Sequence, residues 1–160
     1  MRACLAVLTM LLVARVAGAQ TEPLTVRFGG TWILNVDKST MHPPAPQSER
    51  IRIEPSMADT IATKYTVTGT TYDGMPINIF FEGKIDGHAY PVMTNGQEIA
   101  QVTWRHSGHD QMSARQVATD GTVSTVTVTL SPDQSSFTLR EHVSGKKGTY
   151  DITEEWDRLQ

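Results

Sequence analysis

The feature that most constrains the fold of this chain is a series of short β-branched and aromatic runs separated by turn signals. Almost no stretch shows helical periodicity. Asp-Gly and Asn-Gly pairs supply the positive φ angles that two-residue hairpins require, so consecutive strands are expected to pair as antiparallel neighbours. The turn signals are Asp73-Gly74, Asp86-Gly87, Asn95-Gly96, Asp120-Gly121 and the segments 131–133 and 144–148.

The spacing of these signals predicts about ten strands. The segment 37–47 interrupts the rhythm, because its three prolines exclude a central strand and favour a short helical turn or an extended crossover. A meander of this length can stay open, form a sandwich or close into a barrel. Closure removes both exposed edges, so we expect an all-β, antiparallel up-and-down β-barrel of about eight to ten strands. The predicted strands are 26–36, 49–54, 60–68, 76–83, 88–93, 99–106, 112–119, 122–130, 137–143 and 149–158.

Alternation along several strands indicates one buried face. In VSTVTVTL, residues 123–130, Val126, Val128 and Leu130 share a face opposite to the threonines. In the last strand, Glu154 shares the apolar face with Trp156. A glutamate on that face lies either at the solvated end of the strand or inside a lumen that holds water or ligand, and the sequence leaves both positions open.

The first 19 residues have the layout of a secretory signal peptide, with Arg2, an apolar run and small residues ending at Ala19. We expect cleavage after Ala19, a single barrel domain over 20–160, and a secreted or periplasmic protein. Arg15 interrupts the apolar run, which is shorter than the roughly 20 residues of a membrane span, so no membrane association is expected after cleavage. Cys4 is the single cysteine and lies in the leader, which excludes thiol chemistry and disulfides from the mature domain.

The charge of the mature chain argues against some classes of partner. Removal of Arg2 and Arg15 leaves 12 Lys and Arg against 17 Asp and Glu, so the formal net charge changes from −3 to −5. Such a surface disfavours nucleic acid and anionic lipid as partners.

The sequence contains no motif that is specific for a known chemistry. The chain contains no nucleophile elbow, zinc-protease motif, phosphate loop or dinucleotide fingerprint, so no catalytic group and no cofactor is predicted. His106 and His109 flank a tight turn, but a metal site there would need a further ligand such as His88 or Asp110, and none is predicted.

The start of the mature domain carries a resemblance to a known group. Gly30 and Trp32 form a Gly-x-Trp signature in the first strand, which resembles the lipocalins and the wider calycin barrels. The resemblance implies that Trp32 packs at the closed end of the barrel and that Arg158, near the end of the last strand, lies across its ring. A cation–π contact would then close that end, and the bare Cα of Gly30 would let the strand bend. GTWILNVDKS, residues 30–39, is also similar to small secreted bacterial proteins to which no activity attaches.

A barrel of about eight strands either holds one small ligand or is filled by its own side chains. We expect a small, partly apolar ligand, and a cavity above about 300 Å³ would favour that function. Two alternatives stay open: an interaction or inhibitor module with a packed barrel and 37–47 as its determinant, and a barrel-scaffold enzyme using a buried carboxylate or histidine, for which Glu141 and Glu154 on adjacent strands are candidates. The oligomeric state is not determined. The candidate ligand contacts are Tyr65, Phe81, Tyr90, Trp104 and Met112, with Arg115 and Glu154 as polar contacts.

Overall fold

The computed structural model describes residues 22–41 and 44–160, which form a closed barrel of ten antiparallel strands. The predicted signal peptide and its cleavage site lie outside the described residues. A short helix, α1 (Leu24–Phe28), precedes the barrel. The strands are β1 (Gly30–Leu34), β2 (Ser48–Pro55), β3 (Ala62–Thr70), β4 (Pro76–Lys84), β5 (Ala89–Thr94), β6 (Gln97–Gly108), β7 (Gln111–Ala118), β8 (Val123–Leu130), β9 (Ser136–Gly145) and β10 (Gly148–Arg158).

Each strand pairs with the next along the chain, and β1 closes the barrel by pairing with both β2 and β10. Trp32 lies opposite Arg158 on one side and Ile51 on the other. The turn between β5 and β6 shows why the dipeptides matter: Asn95 has φ 49° and Gly96 has φ 77°, the two left-handed conformations that a tight hairpin needs. The predicted all-β barrel is therefore confirmed.

The first predicted strand is wrong at its N-terminal end. Residues 26–28 belong to α1, and the strand begins at Gly30. The Pro23 carbonyl accepts hydrogen bonds from the amides of Val26 and Arg27, at 3.0 and 3.1 Å, and these bonds start the helical turn. Phe28 is buried, so packing overrides the β-propensity of this run. Among the described residues, no helix has the length and apolar character needed to cross a membrane.

The proline-containing segment completes the wall where β1 is too short to do so. β1 ends at Leu34 and is followed by a 3-10 turn, Val36–Lys38. A short helical turn was one of the two conformations that the sequence predicted for this segment. Thr40 then forms an isolated antiparallel bridge with Thr153 of β10. At this end of the barrel, the gap between β2 and β10 is thus covered by irregular chain rather than by a strand.

The interior contains two apolar clusters. The larger one surrounds Trp32, Phe137 and Trp156 and includes Phe28 of α1. The smaller one, around Phe81, lies among β4 to β7 and is tightly packed. Trp104 packs against both clusters, so it marks the boundary between the two parts of the interior.

Candidate ligand-binding site

A cavity of about 190 Å³ lies within the larger cluster. This volume is below the roughly 300 Å³ at which typical ligand pockets begin. An apolar cavity of about 150 Å³ nevertheless accommodates a benzene-sized molecule. The space therefore suits a molecule somewhat larger than benzene. Its apolar lining consists of Phe28, Ile51, Ile53, Val67, Ile85, Met112, Val128, Phe137, Leu139 and Trp156.

Two carboxyl groups provide the acidic part of the lining, Glu49 at the start of β2 and Glu154 on β10. Burial and, to a smaller extent, the neighbouring charge of Glu154 together raise the pKa of Glu49 to about 7. Burial also raises the pKa of Glu154 to about 7. The indole N–H of Trp156 opposes that rise by donating a hydrogen bond of 3.0 Å to Oε2 of Glu154, whereas the charge of Glu141 adds to it.

The position of Glu154 resolves the choice that the sequence left open. Its carboxyl lines the cavity rather than standing in water at a strand end. Glu49 and Glu154 line the same space, and they lie on β2 and β10, the two strands that flank the short strand β1. Because both pKa values lie near 7, the charge of each carboxyl changes with pH near neutrality.

The cavity lining also contains buried donors without a partner. Within the described part of the chain, Nε1 of Trp104 and Oγ1 of Thr63 have no hydrogen-bond partner. Both atoms are themselves enclosed by protein, and a buried donor left without a partner reduces the stability of the fold. Tyr65 also lines the cavity, and burial raises the pKa of its hydroxyl.

Glu49 faces a second space as well. Outside the barrel mouth, an apolar depression lies between the proline-containing segment and the turn that joins β3 to β4. Tyr72 and Met75 in that turn are 58 % and 61 % exposed, which is high for such large side chains. Because Glu49 lines both spaces, it stands where the depression meets the interior cavity. The other described residues around the depression are Met41, Pro44, Pro46, Thr71, Asp73, Ile77 and Ile152.

The opposite end of the barrel is closed by Arg158 and Trp32. The Arg158 guanidinium carbon lies 4.0 Å from the centroid of the Trp32 ring. Its nitrogens donate to the carbonyls of Gln134, Gly29 and Arg27 at 2.7, 2.6 and 2.6 Å. Gly30 has φ +128°, and a Cβ there would lie 2.9 Å from Nη1 of Arg158, so a bare Cα is needed for both conformation and space.

Helix α1 is held across that closed end. Nη1 of Arg27 donates to Asp110, and Nη2 of the same side chain donates to the carbonyl of His109 in the turn between β6 and β7. The Arg27 guanidinium therefore holds the pKa of the Asp110 carboxyl below its usual value. The hydroxyl of Thr25 donates to the carbonyl of Thr60 at 2.5 Å. These contacts fix α1 as a plug beneath the cavity, which Phe28 and Thr25 help to line.

The structure brings four of the seven sequence-selected ligand contacts to the cavity: Tyr65, Trp104, Met112 and Glu154. Phe81 is fully buried but belongs to the packed cluster, where its ring stacks on Tyr65 with centroids 4.9 Å apart. Tyr90 packs over Gly83, and its hydroxyl donates to Asp86, so it too lies away from the cavity. Arg115 is exposed, because alternation places it on the face opposite to Met112.

Glu49, Thr63 and Trp156 are lining residues that the sequence analysis did not select. A signal for Glu49 was present, since it alternates in phase with Ile51 and Ile53 on β2. Nothing in the sequence distinguished Thr63 from the many other strand threonines, because the absence of a hydrogen-bond partner is a property of the packed structure.

Comparison with known proteins supports the architecture. No family model and no curated protein matches the chain. Among solved structures, the chain is similar to a redesigned β-barrel, mFAP1, bound to DFHBI, with 14 % identity, a TM-score of 0.52 and coverage of 85 % of this chain and 99 % of that one. It is also similar to a redesigned β-barrel, b11L5F_LGL, with 15 % identity, a TM-score of 0.52 and coverage of 88 % and 98 %.

A third similar structure, EF1p2_mFAP2b bound to DFHBI, has 12 % identity and a TM-score of 0.50, covering 86 % of this chain and 98 % of the other. Identities this low show the fold alone. The chain is therefore similar to these redesigned barrels as a closed antiparallel β-barrel, and nothing in the comparisons identifies it as a lipocalin.

Proposed function

We propose that this protein binds a small, partly apolar molecule inside the barrel, and that it does so as a secreted or periplasmic protein. The observation that carries the proposal is the cavity of about 190 Å³, whose walls are apolar but contain two carboxyls. An apolar site with a few polar groups that set orientation is the usual composition of small-molecule sites. Two of the similar barrels were solved bound to DFHBI, which agrees with ligand binding on this architecture.

Filling the cavity tests this proposal most directly. Val128 is buried on β8 and lines the cavity, so Val128→Phe would occupy part of the space. Thr125→Phe adds the same ring to an exposed position of the same strand and serves as the matched control. Binding is measured with a panel of fatty acids, aromatic acids, isoprenoid alcohols and small aromatic alcohols and amines. We expect saturable binding of one class to the parent and to Thr125→Phe, with at least a tenfold loss in Val128→Phe.

Tryptophan emission offers the readout. Trp104 and Trp156 line the cavity, whereas Trp32 is fully buried at the closed end. A ligand in the cavity should change the emission saturably, and Trp104→Phe and Trp156→Phe should each remove part of that change. Trp32→Phe should leave it intact. The absence of a saturable response to every class, or equal binding by Val128→Phe, would contradict the proposal.

A second candidate is catalysis on the barrel scaffold. The observation that favours it is the pair Glu49 and Glu154, because carboxyls with a pKa of about 7 are suited to general acid–base work at neutral pH. Turnover of a bound molecule that is lost in both Glu49→Gln and Glu154→Gln would support an enzyme. Recovery of every bound ligand unchanged after prolonged incubation would favour the carrier.

A further inference from the structure

The charged side chains that line the cavity are all acidic. The charged side chains in its lining are Glu49 and Glu154, and no lysine, arginine or histidine of the described chain lines it. Arg115, the basic side chain that the sequence suggested as a contact, is exposed on the outer face. An anionic ligand would therefore meet two carboxyls in an apolar space without a compensating cation from the described residues, which is unfavourable.

A cationic ligand would instead be attracted by the two carboxyls. Both carboxyls line one cavity, and within the described chain the Glu154 carboxyl accepts a hydrogen bond from the indole of Trp156. Two ionised carboxylates offer several further acceptor sites, and an ammonium brings three donors to them. Charge-assisted bonds of this kind are stronger than neutral ones, and a dry cavity strengthens them further.

The apolar part of the lining complements the carboxyls. Phe28 of α1 and Phe137 of β9 line the cavity at the closed end of the barrel. Glu49, near the start of β2, lines both the cavity and the outer depression. The cavity thus has a carboxyl toward its mouth and apolar side chains toward its base.

We propose that the cavity binds a small organic amine with an apolar body, its ammonium held by Glu49 and Glu154 and its apolar part packed against the wall around Met112 and Phe137. This inference rests on the proposed function and specifies its ligand class. The position of Glu49 between the cavity and the outer depression places the ammonium at the entrance, where the remaining water can solvate it. The volume limits the body to about the size of a phenylethyl group.

A series that changes only the head group tests the proposal. Binding of 2-phenylethylamine, 2-phenylethanol and phenylacetate to the parent protein is measured at pH 8 by calorimetry. We expect the amine to bind most tightly, the alcohol more weakly and the acid least. Glu49→Gln and Glu154→Gln should each weaken amine binding about tenfold or more, because each removes a charge-assisted contact, and should change alcohol binding less than threefold.

Glu155→Gln is the matched control. Glu155 neighbours Glu154 on β10, but its carboxyl accepts from Thr138 and does not line the cavity. It should bind the amine as the parent does. Thermal unfolding of each variant establishes that it is folded. Where one glutamine variant fails to fold, the other and the head-group series still decide the question.

The pH dependence of binding distinguishes recognition of the ligand's charge from recognition of its shape. Amine affinity should rise from pH 5 to pH 8 as the pair ionises, while alcohol affinity should stay flat. The other carboxyls that bear on the pair are Glu141, which acts on Glu154, and Asp73, which lines the outer depression with Glu49. Equal binding of amine and alcohol, unaffected by the glutamine variants, would overturn the amine assignment and leave the proposed function standing. Binding of none of the three, together with a negative result for the wider panel, would overturn both.

Discussion

Two regions of the barrel interior contain a tryptophan and charged side chains, but they differ in how well their polar groups are hydrogen-bonded. At the closed end, Trp32 donates from Nε1 to the Phe28 carbonyl at 2.9 Å and lies under Arg158, whose nitrogens reach three carbonyls. On the cavity side, Trp104 has a buried N–H without a partner among the described residues, and two carboxyls lie in an apolar wall. Satisfied polar groups stabilise a fold, whereas unsatisfied ones reduce stability and remain available for a ligand.

The difference indicates that one part of the domain provides stability and another part is suited to binding. Trp32 meets Phe137 edge to face, with centroids 4.9 Å apart, and Phe137 stacks on Trp156, with centroids 5.8 Å apart. The closed end therefore carries much of the specific packing.

The largest effect is expected from removal of the guanidinium at the closed end. Arg158→Ala removes three hydrogen bonds and the cation–π contact, so we expect a loss of about 3–4 kcal/mol in the free energy of unfolding. Arg115→Ala, at an exposed position, should change it by less than about 0.5 kcal/mol. Urea denaturation measures both. Equal midpoints for the two variants would mean that the closed end does not carry the stability assigned to it.

A matched pair of tryptophan substitutions sharpens the comparison. Trp32→Phe removes a satisfied hydrogen bond and weakens the contact with Arg158, so a loss of about 2 kcal/mol is expected. Trp104→Phe removes an N–H that has no partner in the described structure, which offsets the lost packing, and should cost less than about 1 kcal/mol. Denaturant midpoints of the two variants are compared under one condition. A larger cost at Trp104 would show that its N–H is satisfied in solution.

The smallest effect is the pH dependence of the empty protein. Glu49 and Glu154 have a pKa of about 7 in the fold, above the value of 4.5 for an unperturbed glutamate. A raised carboxyl pKa stabilises the fold fully below pH 4.5, and this contribution disappears as the pH rises through 7. Because both groups are half-buried, we expect a loss of about 1–2 kcal/mol between pH 5 and pH 8.

Glu49→Gln isolates that contribution, since glutamine keeps the shape and does not ionise. Its unfolding free energy should vary less between pH 5 and pH 8 than that of the parent, and it should exceed the parent value at pH 8. Glu155→Gln should retain the parent profile. A parent protein that is equally stable at both pH values would argue that the two carboxyls are solvated.

Much of the architecture could be predicted from local signals. Asn95-Gly96 and similar pairs determine hairpins because their backbone conformations are available to few other residues. Alternation placed Val128 and Trp156 inside, since side chains of successive strand residues point to opposite faces. The same rule would have separated Arg115 from Met112 and added Glu49 to the lining residues.

Other features depend on contacts between distant parts of the chain. The sequence by itself determined most of the strands, their hairpin order and the inward face of several, because turn conformation and two-residue periodicity are local properties. Only the tertiary structure decided that residues 24–28 form a helix, that Phe81 and Tyr90 pack away from the cavity, and that Glu49 and Glu154 share one space. The physical reason is that burial, hydrogen-bond satisfaction and pKa depend on which groups the closed barrel brings together, and the closing pair β1 and β10 joins the two ends of the domain.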